Sequence, residues 1–129
     1  MRLISGITPT MRSTTGSNCK RGDVVLIPFP FTDFSTFKQR PALIISSDEF
    51  NTRSQDVIAA AISSHIVPNP IFGDFSLSQS DLHSGGLPKA SIVKLGKVVT
   101  IDRRLIRGKL GSLTATTIKE IISKLRSVI

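Results

Sequence analysis

Few side chains in this 129-residue sequence are equipped for chemistry, and the one whose setting is most demanding is Arg40. It opens the run Arg40-Pro41-Ala42-Leu43-Ile44-Ile45-Ser46, a stretch that reads as a buried strand. A guanidinium cannot shed its charge, so at the mouth of such a strand it needs an anionic partner. Two kinds of partner are open: a carboxylate of the chain itself, Asp33 or Asp23, or a ligand phosphate, which the fork of guanidinium donors fits. Two histidines, His65 and His83, supply the residue type suited to carrying a proton near neutral pH. Cys19 is the only thiol, so no intrachain disulfide and none of the usual four-ligand zinc sets can be assembled. Neither metal nor other cofactor is expected. Gly85-Gly86-Leu87-Pro88-Lys89 resembles a phosphate loop only superficially, because the spacing to Gly-Lys-Ser/Thr before a helix is absent. Asp102, between Thr100 and Arg103, reads as a turn or ion-pair residue.

The charge balance says what kind of partner these groups would meet. The chain carries 17 Lys and Arg against 9 Asp and Glu, a net charge of +8, which favours a polyanion without choosing among RNA, DNA, lipid and an acidic protein. Residues 1–22 hold four bases and no acid, residues 23–88 three bases and seven acids, and residues 89–129 ten bases and two acids. The excess therefore sits in the last third, where the basic stretch 89–107 is either a track for a phosphate backbone or a solvated face. With 7 Phe and no Trp or Tyr, the chain lacks the rings on which base-stacking platforms are usually built. Its longest uninterrupted apolar run, residues 57–62, falls far short of the roughly 20 residues that cross a bilayer. The N-terminus has no apolar segment of signal-peptide type, so a cytoplasmic protein with no membrane partner is expected.

The elements that must position these groups follow from composition and period. Residues 1–20 are rich in Ser, Thr and Gly without apolar spacing and read as a flexible tail, either a basic arm bearing Arg2 and Arg12 or the product of a start codon upstream of Met11. One domain is expected over residues 21–129. Strands are expected at 23–27, 41–46 and 56–66, a weaker one at 72–77, and two apolar pieces within 91–101 broken at Gly96. Residues 78–89 read as a mobile loop. At the end of the chain Ile118, Ile121, Ile122, Leu125 and Ile129 share one helical face behind Thr114 as N-cap. Short strands at regular spacing and one closing helix favour a mainly β fold, a small and partly open antiparallel barrel, over a parallel α/β sheet.

Four segments in order carry a resemblance: Arg21-Gly22-Asp23-Val24-Val25, the Arg40-Pro41 strand, Ala60-Ala61-Ile62-Ser63-Ser64, and Thr100-Ile101-Asp102-Arg103-Arg104-Leu105, followed by the closing helix. Over residues 21–129 the chain resembles the MazF/PemK family of toxin endoribonucleases. The resemblance implies an SH3-like barrel with a C-terminal helix, a fold shared with CcdB-like toxins. It also implies a toxin of a type II toxin–antitoxin pair, a homodimer that cuts single-stranded RNA without a metal ion and is inhibited by an acidic, partly disordered antitoxin. It further implies a catalytic pair made of Arg40 and the residue at Ser63, where the family has threonine. Serine keeps the hydroxyl and loses only the stiffening methyl. Some members also carry a glutamate five residues before the arginine, where this chain has Ser35.

Cleavage of RNA by its own 2′-hydroxyl requires removal of that proton, stabilisation of a crowded phosphorane and protonation of the departing 5′-oxygen. Arg40 and Ser63 suit the second task. On a strand, side chains alternate, so a Ser63 facing the site would bring Ala61 and His65 with it and turn Ile62 and Ile66 away. His65 is thereby the candidate proton carrier, ahead of His83. Lys38 and Gln39 beside Arg40, Ser64 beside Ser63, and Lys94 and Lys97 in the basic stretch are the expected RNA contacts, Lys97 standing where some family members have a glutamine near the bases. The rival expectations are a toxin of the same fold that inhibits a protein such as gyrase by contact, and a generic RNA-binding barrel.

Overall fold

The computed structural model describes residues 19–30, 37–69 and 71–129. Within them lie the strands β1 (Asp23–Pro30), β2 (Phe37–Ile44), β3 (Asp56–Ser63), β4 (Asp74–Ser76), β5 (Ile92–Asp102) and β6 (Gly108–Ser112). They form one antiparallel sheet in the order β4-β5-β3-β2-β1-β6. Helices α1 (Asp48–Arg53), α2 (Gln79–Gly85) and α3 (Ala115–Val128), with a 3-10 turn over Arg103–Leu105, complete the architecture. The expected mainly β class with a closing helix holds, and the curled sheet stays open because β4 and β6 are its edges.

Alternation along the central strands divides the interior. Val24, Leu43, Ala60, Ile62 and Val93 face one cluster, while Val25, Ile27, Ala42, Ile44, Val57 and Ala59 face the other. Helix α3 covers the first. The Thr114 hydroxyl accepts from the Thr117 N–H and caps the helix, Ile121 is fully buried, and Ile118, Ile122, Leu125 and Val128 pack beside it. Ile129, expected on that face, is instead 90 % exposed, and Val128 completes the stripe one residue earlier.

Several expectations are corrected. Residues 78–89 are not a loop throughout: Ser78 and Asp81 form a reciprocal capping box and start α2. The helix stops in a Schellman motif, in which Leu87 N–H donates to Leu82 C=O and Gly86 N–H to His83 C=O, with Leu82 and Leu87 both in the core. Gly86 has φ +70°, and a Cβ there would overlap the Leu110 carbonyl of β6, so glycine permits both the left-handed turn and the close approach. Helix α1, also unforeseen, is capped by Ser47 and anchored by the fully buried Asn51, whose side-chain N–H donates to Ser46 C=O at 3.2 Å. The two apolar pieces within 91–101 are one strand. The β3–β5 register jumps from Ala60↔Val98 to Ala61↔Lys94, so Leu95, Gly96 and Lys97 form a bulge. Cys19 and Lys20, assigned above to the tail, are tied to the fold: Cys19 is buried in the second cluster, and the Lys20 N–H donates to Asp23 Oδ2 at 3.0 Å. Burial and then the negative charge of Asp23 push the Cys19 thiol up, in keeping with its packing in the core.

Asp81 links α2 to α3, accepting from the Thr117 hydroxyl at 2.8 Å and from the Ser78 N–H at 3.0 Å. Burial pushes its carboxyl up, but the hydrogen bonds from the Ser78 N–H, the Thr117 hydroxyl and the Ser78 hydroxyl outweigh it and hold it below the usual carboxylate range. A carboxylate depressed in the folded state adds stability above its unfolded pKa, about 4, and loses it as pH falls through the lower folded value. Asp81→Ala is therefore expected to lower the unfolding free energy by about 1–2 kcal/mol at neutral pH, with the gap to the parent closing below about pH 4 in urea melts. Equal stability at neutral pH would show that the capping box and the Thr117 contact contribute nothing. Gly86→Ala is expected to cost about 2 kcal/mol or more, whereas Gly96→Ala, whose Cβ would meet nothing within 4 Å, should stay within about 0.5 kcal/mol by thermal melting.

Candidate active site

The recorded β2–β3 partners are Ala42↔Ala61, Leu43↔Ala60 and Ile44↔Ala59. Two residues beyond the Ala42↔Ala61 pair, where the β2–β3 pairing ends, stand Arg40 on β2 and Ser63 on β3, each in step with that pair along its own strand. Burial ends there: Ala42 is fully buried, Pro41 is half-buried and Arg40 is exposed. The expectation that Arg40 enters a buried strand is thus corrected, because the guanidinium stands at the rim. Of its two expected carboxylate partners, Asp33 lies outside the described residues. Asp23 is four residues along β1 from Ile27, the partner of Arg40, a separation of roughly 13 Å. Its carboxylate is engaged by Lys109 Nζ at 3.4 Å instead.

The hydroxyl of Ser63 has a defined role. Its Oγ accepts the His65 N–H at 3.1 Å, which leaves the hydroxyl proton to be donated outward. That contact also turns the chain out of β3, which stops at Ser63. The alternation that was to carry His65 to the face of Ser63 therefore does not reach it. His65 is exposed in the segment beyond, and Ile66, expected on the face of Ile62 opposite the site, is 50 % exposed.

A cleft of about 1290 Å³ opens over this end of the sheet. Arg40, Ser63, Ser64, His65, Lys94 and Lys97 all line it, so six of the eight expected site residues come together. Lys38 and Gln39 are exposed on β2 outside that lining, as is His83 on α2. Lys89 and Ser91 also line the cleft, and the Ser91 hydroxyl donates to the Lys89 carbonyl at 2.9 Å. Their neighbours Gly86, Leu87 and Pro88 form an adjoining wall, which the rejected phosphate-loop reading of residues 85–89 did not anticipate. The signal was in the sequence: Ser78-x-x-Asp81 before Leu82 marks a helix start, and a helix there presents the segment after Gly86 to the sheet end.

The electrostatics are one-sided. Arg40, Lys89, Lys94 and Lys97 line the cleft, and among the described lining residues there is no carboxylate. The Lys94 ammonium lies 3.1 Å from Oδ1 of the buried Asp74. Asp102 lies outside the lining and is structural: it caps the 3-10 turn and accepts from Arg104 at 2.7 Å. The Arg104 side chain and then its backbone N–H hold that carboxyl below the usual range. Among the described residues no three of His, Cys, Asp and Glu gather closely enough to hold a metal ion. Nor is any described helix long and apolar enough to cross a membrane. The arrangement can grip a phosphodiester, with a rigid two-donor fork on one strand and a hydroxyl donor on the next.

Comparison with known proteins shows the family and the fold. A family model described as a PemK-like, MazF-like toxin of a type II toxin–antitoxin system matches residues 20–129. Endoribonuclease MazF2 of Mycobacterium bovis and Endoribonuclease MazF6 of Mycobacterium tuberculosis are each 31 % identical over 93 residues, covering 71 % of this chain and 79 % of theirs. A solved mycobacterial endoribonuclease in complex with its cognate antitoxin superposes with a TM-score of 0.67 at 21 % identity, covering 84 % of this chain and 92 % of that one, a likeness of fold. On the family match and the identity to these relatives, the chain belongs to the PemK-like, MazF-like toxins of type II toxin–antitoxin systems.

Proposed function

We propose that this toxin is an endoribonuclease that cuts single-stranded RNA through attack of a 2′-hydroxyl on the adjacent phosphate, with Arg40 and Ser63 as its catalytic pair. The observation that carries this reading is that Arg40 and Ser63, each two residues beyond the Ala42↔Ala61 pair of adjacent strands, line one cleft together with Lys89, Lys94 and Lys97. Arg40 presents two donors to the nonbridging oxygens, and Ser63 adds one more. These donors face charge that grows as the phosphorane forms, so they act mainly on the transition state. His65, which lines the same cleft, is the proton carrier. Products with 2′,3′-cyclic phosphate and 5′-hydroxyl ends follow from that chemistry.

The remaining parts of the reading concern partners. The toxin acts in the cytoplasm as a homodimer, and an acidic antitoxin segment inhibits it. Support comes from the cationic cleft, which a carboxylate-rich chain would occupy in competition with RNA. Cleavage is favoured over inhibition of a protein target by contact, because the curated relatives are named endoribonucleases.

Arg40→Ala is expected to slow cleavage roughly 100- to 10,000-fold while RNA affinity falls far less. Arg40→Lys should rescue little, since a point charge cannot reproduce the fork. Ser63→Ala should cost on the order of 100-fold, and Ser63→Thr should be tolerated or faster. The assay is single-turnover cleavage of a long RNA in EDTA with the product ends mapped. A folded Arg40→Ala protein that cuts as fast as the parent would place the site elsewhere.

A further inference from the structure

Lys94 and Asp74 set a pair apart within the cleft. Lys94 stands on β5 opposite both Ala61 and Asp74, one strand away from each. Its ammonium meets both carboxylate oxygens, at 3.1 Å to Oδ1 and 3.3 Å to Oδ2, and its side chain keeps 19 % of its exposure against 5 % for Asp74. Asp74 is itself fixed, because its Oδ2 accepts the Ile71 N–H and its carbonyl accepts from Lys124 of α3. By contrast Lys97, two residues past Leu95 on the bulge, is exposed and has no ion-pair partner among the described residues.

Two consequences follow from elementary electrostatics. A cation already matched by a buried carboxylate adds little net field, so it releases few counterions and is a poor phosphate contact. An ammonium has three protons, so Lys94 keeps capacity to donate while Asp74 holds it, and Lys94 lines the cleft. A fixed donor of little net charge discriminates among acceptors by geometry, as base-edge contacts do, whereas a mobile cation follows the backbone. Lys94 pairs with Ala61, two strand residues or roughly 7 Å from Ser63, within reach of a nucleotide whose phosphate is held there.

On the nuclease reading above, we propose that Lys94, positioned by Asp74, is a specificity-determining residue that reads a base-edge acceptor, O6 or N7 of guanine or a carbonyl of uracil, beside the cleaved bond. Lys97 and Lys89 take the phosphates. Asp74 is a positioning residue that touches no substrate and acts through Lys94.

The test uses the whole chain and three variants whose folding is checked by thermal melting. Replacing both partners, Asp74→Asn with Lys94→Met, avoids stranding a buried charge and keeps an acceptor for the Ile71 N–H. In that double variant, the preference at one nucleotide flanking the cut should fall roughly tenfold in mapped product ends. The slope of log affinity against log salt should be unchanged. Lys97→Met should make the slope shallower by about 0.7 and leave the preference alone. Asp74→Asn alone uncovers the Lys94 charge and should steepen the slope by about 0.7, tightening binding at low salt, an effect opposite to that of mere destabilisation. If Asp74→Asn does not fold, the double variant and Lys97→Met decide. An unchanged nucleotide preference in the double variant, or a slope shallower by the amount Lys97→Met gives, overturns the proposal. A folded parent that neither binds nor cuts RNA overturns the nuclease reading, and this assignment with it.

Discussion

The pairing of β2 with β3 is the constraint on which the site depends. Side chains on paired strands share a face only in one register, and a slip of β3 by one residue would turn Ser63 to the opposite face and drive Ala60 and Ile62 from one packed cluster into the other. Both faces of β3 are covered, by α3 and its cluster on one side and by the Val25, Ile27 and Ile106 cluster on the other, so neither alternative register is open to it. The small residues Ala42, Ala59 and Ala60, all fully buried, let the sheet curl tightly between these clusters. The placement of the proposed donors follows from core packing: Ser63 ends β3, and Arg40 lies on β2 two residues beyond the fully buried Ala42, where burial stops.

The same economy governs charge. Five of the seven acids of residues 23–88 make contacts within the fold: Asp23 with Lys109, Asp74 with Lys94, Asp81 in its capping box, Asp48 on the Arg21 N–H and, on the surface, Glu49 with Arg53. Each serves a turn, a cap or a pair away from the open surface of the cleft or, in the case of Asp74, beneath it. The basic residues of the last third are left to define the field over the sheet end. A protein whose residues 23–88 are net acidic therefore presents a cleft wall without a described carboxylate.

Much of this was legible in the residues. The Arg40-Pro41 strand, the Ser63 segment, the Thr114 cap and the Ile118–Ile121–Ile122–Leu125 stripe could be read because period and capping chemistry are local. Failures arose where a local signal meets a tertiary one. Gly85-Gly86 looks like a loop, yet the second glycine is the left-handed stop of a helix whose capping box lies eight residues earlier. Gly96 looks like a strand break, but β5 accommodates it as a bulge because Leu95 anchors in the core and its N–H donates to Gly73. His65 was placed by strand alternation that the Ser63 hydroxyl itself interrupts, by taking the N–H two residues ahead. The compensation of Lys94 by Asp74 was out of reach, since twenty residues and an intervening helix separate the pair in sequence.

The claim that Arg40 and Ser63 act together on one phosphate is tested most directly by a double-mutant cycle on single-turnover RNA cleavage, using the parent, Arg40→Ala, Ser63→Ala and the combined variant. Residues that stabilise the same phosphorane are expected to be strongly non-additive, so the combined variant should be little slower than the slower single one. A combined loss equal to the product of the two single losses would contradict a shared site.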